Sequence, residues 1–178
     1  MSAQYPTSMK WFHWMMGIAI IGLLAVGLYM EGLPKEDPNK WPLYDLHKAI
    51  GVCVLLLFLP RVLNRLRSAV PALPESIKPL EQKASHLGHL ALYGLMLAMP
   101  VSGVVMSQSG GYPINVFGWV LPVMIDKNPA LFELAKEAHE LIGNALIVVV
   151  SIHVLAVIKH RVIEKTNLLE RMGFRLRG

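Results

Sequence analysis

The sequence predicts an all-α integral membrane protein, a bundle of four spanning helices with both ends of the chain in the cytoplasm. Four runs of mainly apolar residues recur along the chain, each close to the length of about 20 that a helix needs to cross the hydrocarbon core. Charged residues are only 16% of the chain against 54% hydrophobic, with a mean hydropathy of +0.46, whereas a soluble domain carries about 25% charge. Lysine and arginine alternate between rich and poor connecting segments, as an even number of spans requires. The 178 residues suffice for one domain, and the spans with their loops occupy residues 1–178 with little left over.

The first span, 11–30 (WFHWMMGIAIIGLLAVGLYM), has a long apolar run with no small-x-small cleavage motif behind it, so it reads as an anchor and not a cleaved leader. The loop GLPKEDPNKWP separates it from the second span, 46–66. That span holds Pro60 and the single cysteine, Cys53, which excludes a disulfide framework and a thiolate metal cluster. Buried in an apolar run, Cys53 packs as a small hydrophobe. The third span, 87–106, follows the loop SAVPALPESIKP and carries Pro100. Membrane helices tolerate both prolines because neighbouring groups re-satisfy the freed carbonyls. A long third loop, 107–138, contains Tyr112, Phe117 and Trp119 and leads to the fourth span, 141–158. Its aromatics read as a cap over the outer end or as interfacial anchors.

Lys10, the second-loop group Arg61, Arg65, Arg67, Lys78 and Lys83, and the tail group Lys159, Arg161, Lys165, Arg171, Arg175 and Arg177 fall on one side. The opposite side has only Lys35, Lys40, Lys127 and Lys136, with Lys48 just inside span two. The net charge of +5 is therefore topological, and no nucleic-acid role is implied.

Seven histidines can be placed by depth. His13, His86, His89, His153 and His160 fall toward the inner side; His47 and His139 fall toward the outer. Fourteen residues are close to four helical turns, so His139 and His153 share a face of span four about 21 Å apart. His47 matches the depth of His139, and His13 that of His153. One membrane histidine reads as an interhelical hydrogen bond, but four at two matched depths form two pairs. A closed zinc site wants four gathered ligands, and no Cys, Asp or Glu at membrane depth completes one. Two opposed imidazoles suit haem iron, whose other positions the porphyrin fills, and an iron removes the cost of burying their nitrogens in lipid.

A glycine follows three of these histidines at i+4: Gly17 after His13, Gly51 after His47 and Gly143 after His139. That position lies on the same face one turn on, so a missing side chain there leaves room for a flat ring. Small residues also serve close helix packing in membranes. His153 lacks such a glycine. Ser151 and Asn144 are candidates to accept from the ring nitrogen that faces away from iron. Lys48, Arg61 and Arg65 are candidates to pair with haem propionates, or are ordinary interfacial and positive-inside charges.

The order and spacing of WFHW (11–14), LH (46–47), HLGHLALY (86–93), PVSGVVM (100–106), FGWVLP (117–122), HELIG (139–143), HVLAVIKH (153–160) and LLERM (168–172) resemble the bacterial di-haem cytochrome b561 family over nearly the whole chain. That family is similar to the cytochrome b subunits of hydrogenases and formate dehydrogenases. The resemblance implies axial ligands at His13, His47, His139 and His153, the four that depth selects. It implies two b-type haems, His13/His153 inner and His47/His139 outer, in a bacterial inner membrane. It also implies transfer of electrons from a periplasmic donor to ubiquinone, and some members look like superoxide oxidases, which makes an enzyme the leading expectation.

The resemblance also points to His160, at the inner end of span four beside Lys159 and Arg161, as a quinone-binding residue. His86 and His89 offer a second imidazole-bearing site at that depth, or cap helices and contact propionates. The outer loops are acidic, with Lys40, Lys48, Lys127 and Lys136 as the only makings of a funnel for an anion. The competing readings are an electron carrier serving a separate periplasmic dehydrogenase or redox protein and, more remotely, a non-redox four-span protein. No obligate protein partner is indicated.

Overall fold

The computed structural model describes residues 4–74 and 76–174, so Arg175 and Arg177 of the basic tail lie outside the described residues. Four long helices dominate: α1 (Thr7–Gly32), α2 (Lys40–Arg67), α3 (Pro79–Ser109) and α4 (Pro129–Val162), with a short α5 (Leu168–Arg171) after them. All four are long and apolar enough to cross a membrane. Leucines and isoleucines such as Ile18, Leu56 and Leu155 point outward, the surface that lipid covers.

Each helix overruns its apolar window, because polar first and last turns are helical without being hydrophobic. α4 starts at Pro129, since the side chain of Asn128 accepts from the backbone N–H of Leu131 at 3.1 Å and proline suits the first helical position. α3 starts at Pro79, where the Glu81 carboxylate accepts from the Lys78 N–H at 3.3 Å. α2 runs on through Pro60 and α3 through Pro100.

The third loop therefore shrinks to residues 110–128. Within it β1 (Asn115–Val116) and β2 (Trp119–Val120) form a small antiparallel hairpin. Its turn places Phe117 at φ 52° and Gly118 at φ 100°, the left-handed pair that a tight hairpin turn requires. Buried Gln108 holds the loop down. Its amide donates to the Pro122 carbonyl at 2.8 Å and accepts from the N–H groups of Met124 and Ile125.

The two chain ends meet at one end of the bundle. The Tyr5 N–H donates to the Arg171 carbonyl at 3.0 Å, and the Trp14 indole N–H donates to the Met172 carbonyl at 3.0 Å. The Arg171 guanidinium, 3% exposed, donates to the carbonyls of Pro71 and Ala72 in the α2–α3 connection. Helices pack α1 on α2, α2 on α3 and α3 on α4. Their common core is one apolar layer at mid-height: Met16 and Ile20 of α1, Val54 of α2, Met96 of α3 and Leu146 of α4.

Candidate functional site

Leu146 lies halfway along α4 between His139 and His153, so the apolar layer divides two groups of imidazoles. At the end that holds the termini, His13 of α1 and His153 of α4 have ring centres 6.2 Å apart. Trp14 meets the His13 ring edge-on at 5.1 Å. His89 of α3 also reaches this group, 5.5 Å from His153. Its Nδ1 lies 2.8 Å from the Ser85 carbonyl; a carbonyl only accepts, so Nδ1 carries the proton and Nε2 the lone pair. His86, three residues earlier, is exposed.

At the opposite end, His47 of α2 and His139 of α4 have ring centres 6.4 Å apart. The Nδ1 of His139 sits 2.9 Å from Oγ of Ser102, not against Ser151 or Asn144, which are exposed on α4's outer surface. The Nδ1 of His47 is buried without a partner among the described residues. A cavity of about 240 Å³ opens beside His47, lined by apolar residues of α1 and α2 including Ala19, Leu23 and Ile50.

Glycines matter here in two ways. At Gly17 and Gly51 an added Cβ would meet nothing within 4 Å. At Gly143 it would touch Cε of Met99 at 3.3 Å, so this glycine sets the approach of α3 to α4. Two glycines that the i+4 pattern does not reach lie against the rings themselves. A Cβ at Gly103 would stand 3.1 Å from Cε1 of His139, and one at Gly27 would stand 3.5 Å from Cε1 of His47. Both sit on the neighbouring helix, so spacing along one helix carries no signal for them; nor does it for Ser102.

The candidate cations divide. Lys48 donates to the Pro113 carbonyl at 2.9 Å and pairs with Asp45 at 2.8 Å. Arg61 donates to the Phe12 carbonyl at 2.8 Å, lies over the Tyr93 ring and has a buried Nε with no partner among the described residues. His160 is 8% exposed at the end of α4, its Nδ1 2.6 Å from a Glu164 oxygen. Glu81, His160 and Glu164 bring one ligand atom each within 4.8 Å of the others. The Lys159 ammonium bonds both carboxylates, so a cation of the chain itself already balances their charge.

Residues 4–175 match the prokaryotic cytochrome b561 family. Cytochrome b561 homolog 2 of Escherichia coli (strain K12) is 35% identical over 90% of this chain and 86% of its own length. A probable superoxide oxidase CybB of Yersinia pestis is 26% identical over the full length of both chains. Cytochrome b561 homolog 1 of Escherichia coli (strain K12) is 24% identical over 95% of this chain and 96% of its own. With a matched span of this extent and four membrane-crossing helices, the chain belongs to the prokaryotic cytochrome b561 family of membrane electron-transfer proteins, which bind b-type haem.

Proposed function

We propose that the whole chain, 1–178, is one unit that binds two haems, His13 with His153 and His47 with His139, and passes electrons from superoxide at one membrane surface to ubiquinone at the other. The observation that carries this reading is the matched separation of the two pairs, 6.2 and 6.4 Å. A ring nitrogen about 2 Å from a metal puts the ring centre about 3 Å away, so two rings on opposite sides of one iron stand about 6 Å apart. His89 is closer to His153 than that, which favours His13 as the ligand and leaves His89 for another task.

The surroundings support the same fit. Gly17 and Gly51 leave open space near Cβ one turn from His13 and His47, and the buried Nδ1 of His47 has no protein partner among the described residues. Gly143 contributes by bringing α3, and with it Ser102, up to His139. Arg61, whose buried Nε has no partner among the described residues, is the candidate partner for an inner propionate; Lys48 is the outer one, once it yields its Asp45 contact. Haems held by two histidines supply one-electron transfer and keep no iron position open for oxygen.

The end bearing the termini faces the cytoplasm of a bacterial inner membrane, because the basic residues gather there. Ubiquinone binds at this end, near buried His160, with His89 and His86 as the further imidazoles. Two superoxide ions give up one electron each and leave as dioxygen. Ubiquinone takes the two electrons and two protons and leaves as ubiquinol. The full-length likeness to a probable superoxide oxidase supports superoxide as donor.

A second reading, a cationic redox protein as donor, draws on the lysines of the opposite end. Lys48 is paired with Asp45, Lys136 with Glu140, and Lys40 donates to the Leu33 carbonyl. Carboxylates thus sit against Lys48 and Lys136, while Glu36, Glu133 and Glu137 are exposed. Superoxide generated outside liposomes that hold the protein and ubiquinone tests the choice. Ubiquinol formation with transient haem reduction supports the enzyme; haem that superoxide leaves oxidised, while a small basic redox protein reduces it, supports the carrier.

A further inference from the structure

Quinone reduction consumes protons as well as electrons, and the structure offers a route for them at the end of α4. The chain turns back after that helix. Lys165 adopts φ 53°, and the Thr166 N–H donates to the His160 carbonyl at 2.8 Å. This return lays the Glu164 side chain against the ring of His160, with a carboxylate oxygen 2.6 Å from Nδ1. A carboxylate accepts, so Nδ1 carries a proton and Nε2 is the ring atom left to exchange with a bound molecule. The other Glu164 oxygen is 2.8 Å from the Lys159 ammonium.

We propose that Glu164 is a positioning residue that fixes His160 as the proton donor to ubiquinone; this rests on the quinone site proposed above. His160 is buried while Glu164 and Lys159 reach solvent, so this pair connects water to a shielded imidazole. Lys159, and after it His160, holds the Glu164 carboxyl below the usual carboxylate range. Glu164 therefore stays an anion. It orients the ring with its Nδ1–H toward the carboxylate, as the aspartate of a hydrolase triad holds its histidine, and the end of the α4 dipole adds negative potential on the same side. As the quinone accepts two electrons through the protein, Nε2 of His160 gives one proton to a carbonyl oxygen and breaks its own N–H bond. The ring is then reprotonated from cytoplasmic water, and a second transfer completes the hydroquinone. Glu81 touches Lys159 and not the ring, so it lies outside this pair.

The test uses the haem-loaded protein in liposomes under steady reduction by dithionite, with ubiquinol formation taken as the rate above that of protein-free liposomes, where dithionite reacts with the quinone directly. E164Q keeps an acceptor for Nδ1 but loses the charge, and is expected to lower kcat for the quinone by about tenfold to a hundredfold with KM unchanged. E164D is expected to recover part of the rate, and E81Q to match the wild type. The solvent deuterium isotope effect on quinol formation should rise in E164Q, and in E164A, where Nδ1 loses its acceptor, the ¹⁵N signals of His160 should shift from the Nδ1–H form. Equal rates for E164Q and wild type, or an equal fall in E81Q, would overturn the role of Glu164. Wild-type protein that reduces its haems but forms no quinol would instead overturn the quinone reading itself.

Discussion

Oγ of Ser102 stands between the Met99 carbonyl, 2.8 Å away, and Nδ1 of His139, 2.9 Å away. A hydroxyl has one proton, and the carbonyl takes it because a carbonyl cannot donate. The hydroxyl oxygen is then the acceptor, His139 bears its proton on Nδ1, and Nε2 is left with the lone pair that a metal requires. One serine on α3 thereby sets the tautomer of a histidine on α4.

Replacing Ser102 with Ala should weaken haem retention at the His47/His139 site by about tenfold to a hundredfold, the usual cost of losing a partner behind a ligating imidazole. Replacement by Thr should preserve it. Haem-to-protein ratios after challenge with apomyoglobin, a haem scavenger, measure the difference, with the His13/His153 site unaffected.

Gly103→Ala would bring a methyl group to 3.1 Å from the His139 ring, tighter than ordinary contact, whereas Gly27→Ala would leave an ordinary 3.5 Å to His47. The first should broaden or shift the low-spin EPR signal of that haem and the second should leave it close to wild type. Gly17→Val is the sharper case. Its new atoms meet no protein group near Cβ, so helix content should hold while the inner haem is lost.

The buried Arg171 fastens the chain ends to the α2–α3 connection through two carbonyls and the Tyr5 ring. Arg171→Ala should cost about 2–3 kcal/mol, as hydrogen bonds from a charged donor typically do. Thermal unfolding in detergent would register this as a lower midpoint with both haem spectra retained before the transition.

Glu164 predicts a pH signature of its own. Its carboxyl is held below the ordinary value of 4.5 by Lys159 and then by His160. A depressed carboxylate contributes stability that is complete above the unfolded value and is lost as pH falls through the folded one. Unfolding midpoints of the wild type should therefore drop below pH 4.5 more steeply than those of E164Q, and the two curves should run parallel above it.

The spans were legible because lipid imposes long apolar runs, and the four histidines because imidazole at membrane depth demands an explanation. Depth alone paired His13 with His153 and His47 with His139, and the folded chain brings the ring centres of each pair to 6.2 and 6.4 Å. The helix ends were not legible: Asn128 and Glu81 start helices in polar sequence, where hydropathy is silent. Ser102, Gly103 and Gly27 were not legible either. Each acts on a histidine of a different helix, and one sequence does not give the rotation of one helix against the next. The return of Glu164 onto His160 depends on a turn at Lys165 that no glycine marks.

The central claim is that two histidine pairs each hold one haem, and the haem content of single and double variants tests it most directly. Pyridine haemochrome analysis should give two b-type haems per chain for the wild type. H47A and H139A should each leave one haem with the same spectrum, and the double variant should lose no more. H13A and H153A should leave the other, and H13A combined with H139A should bind none. A single haem in the wild type, or H47A and H139A leaving different haems, would contradict the account.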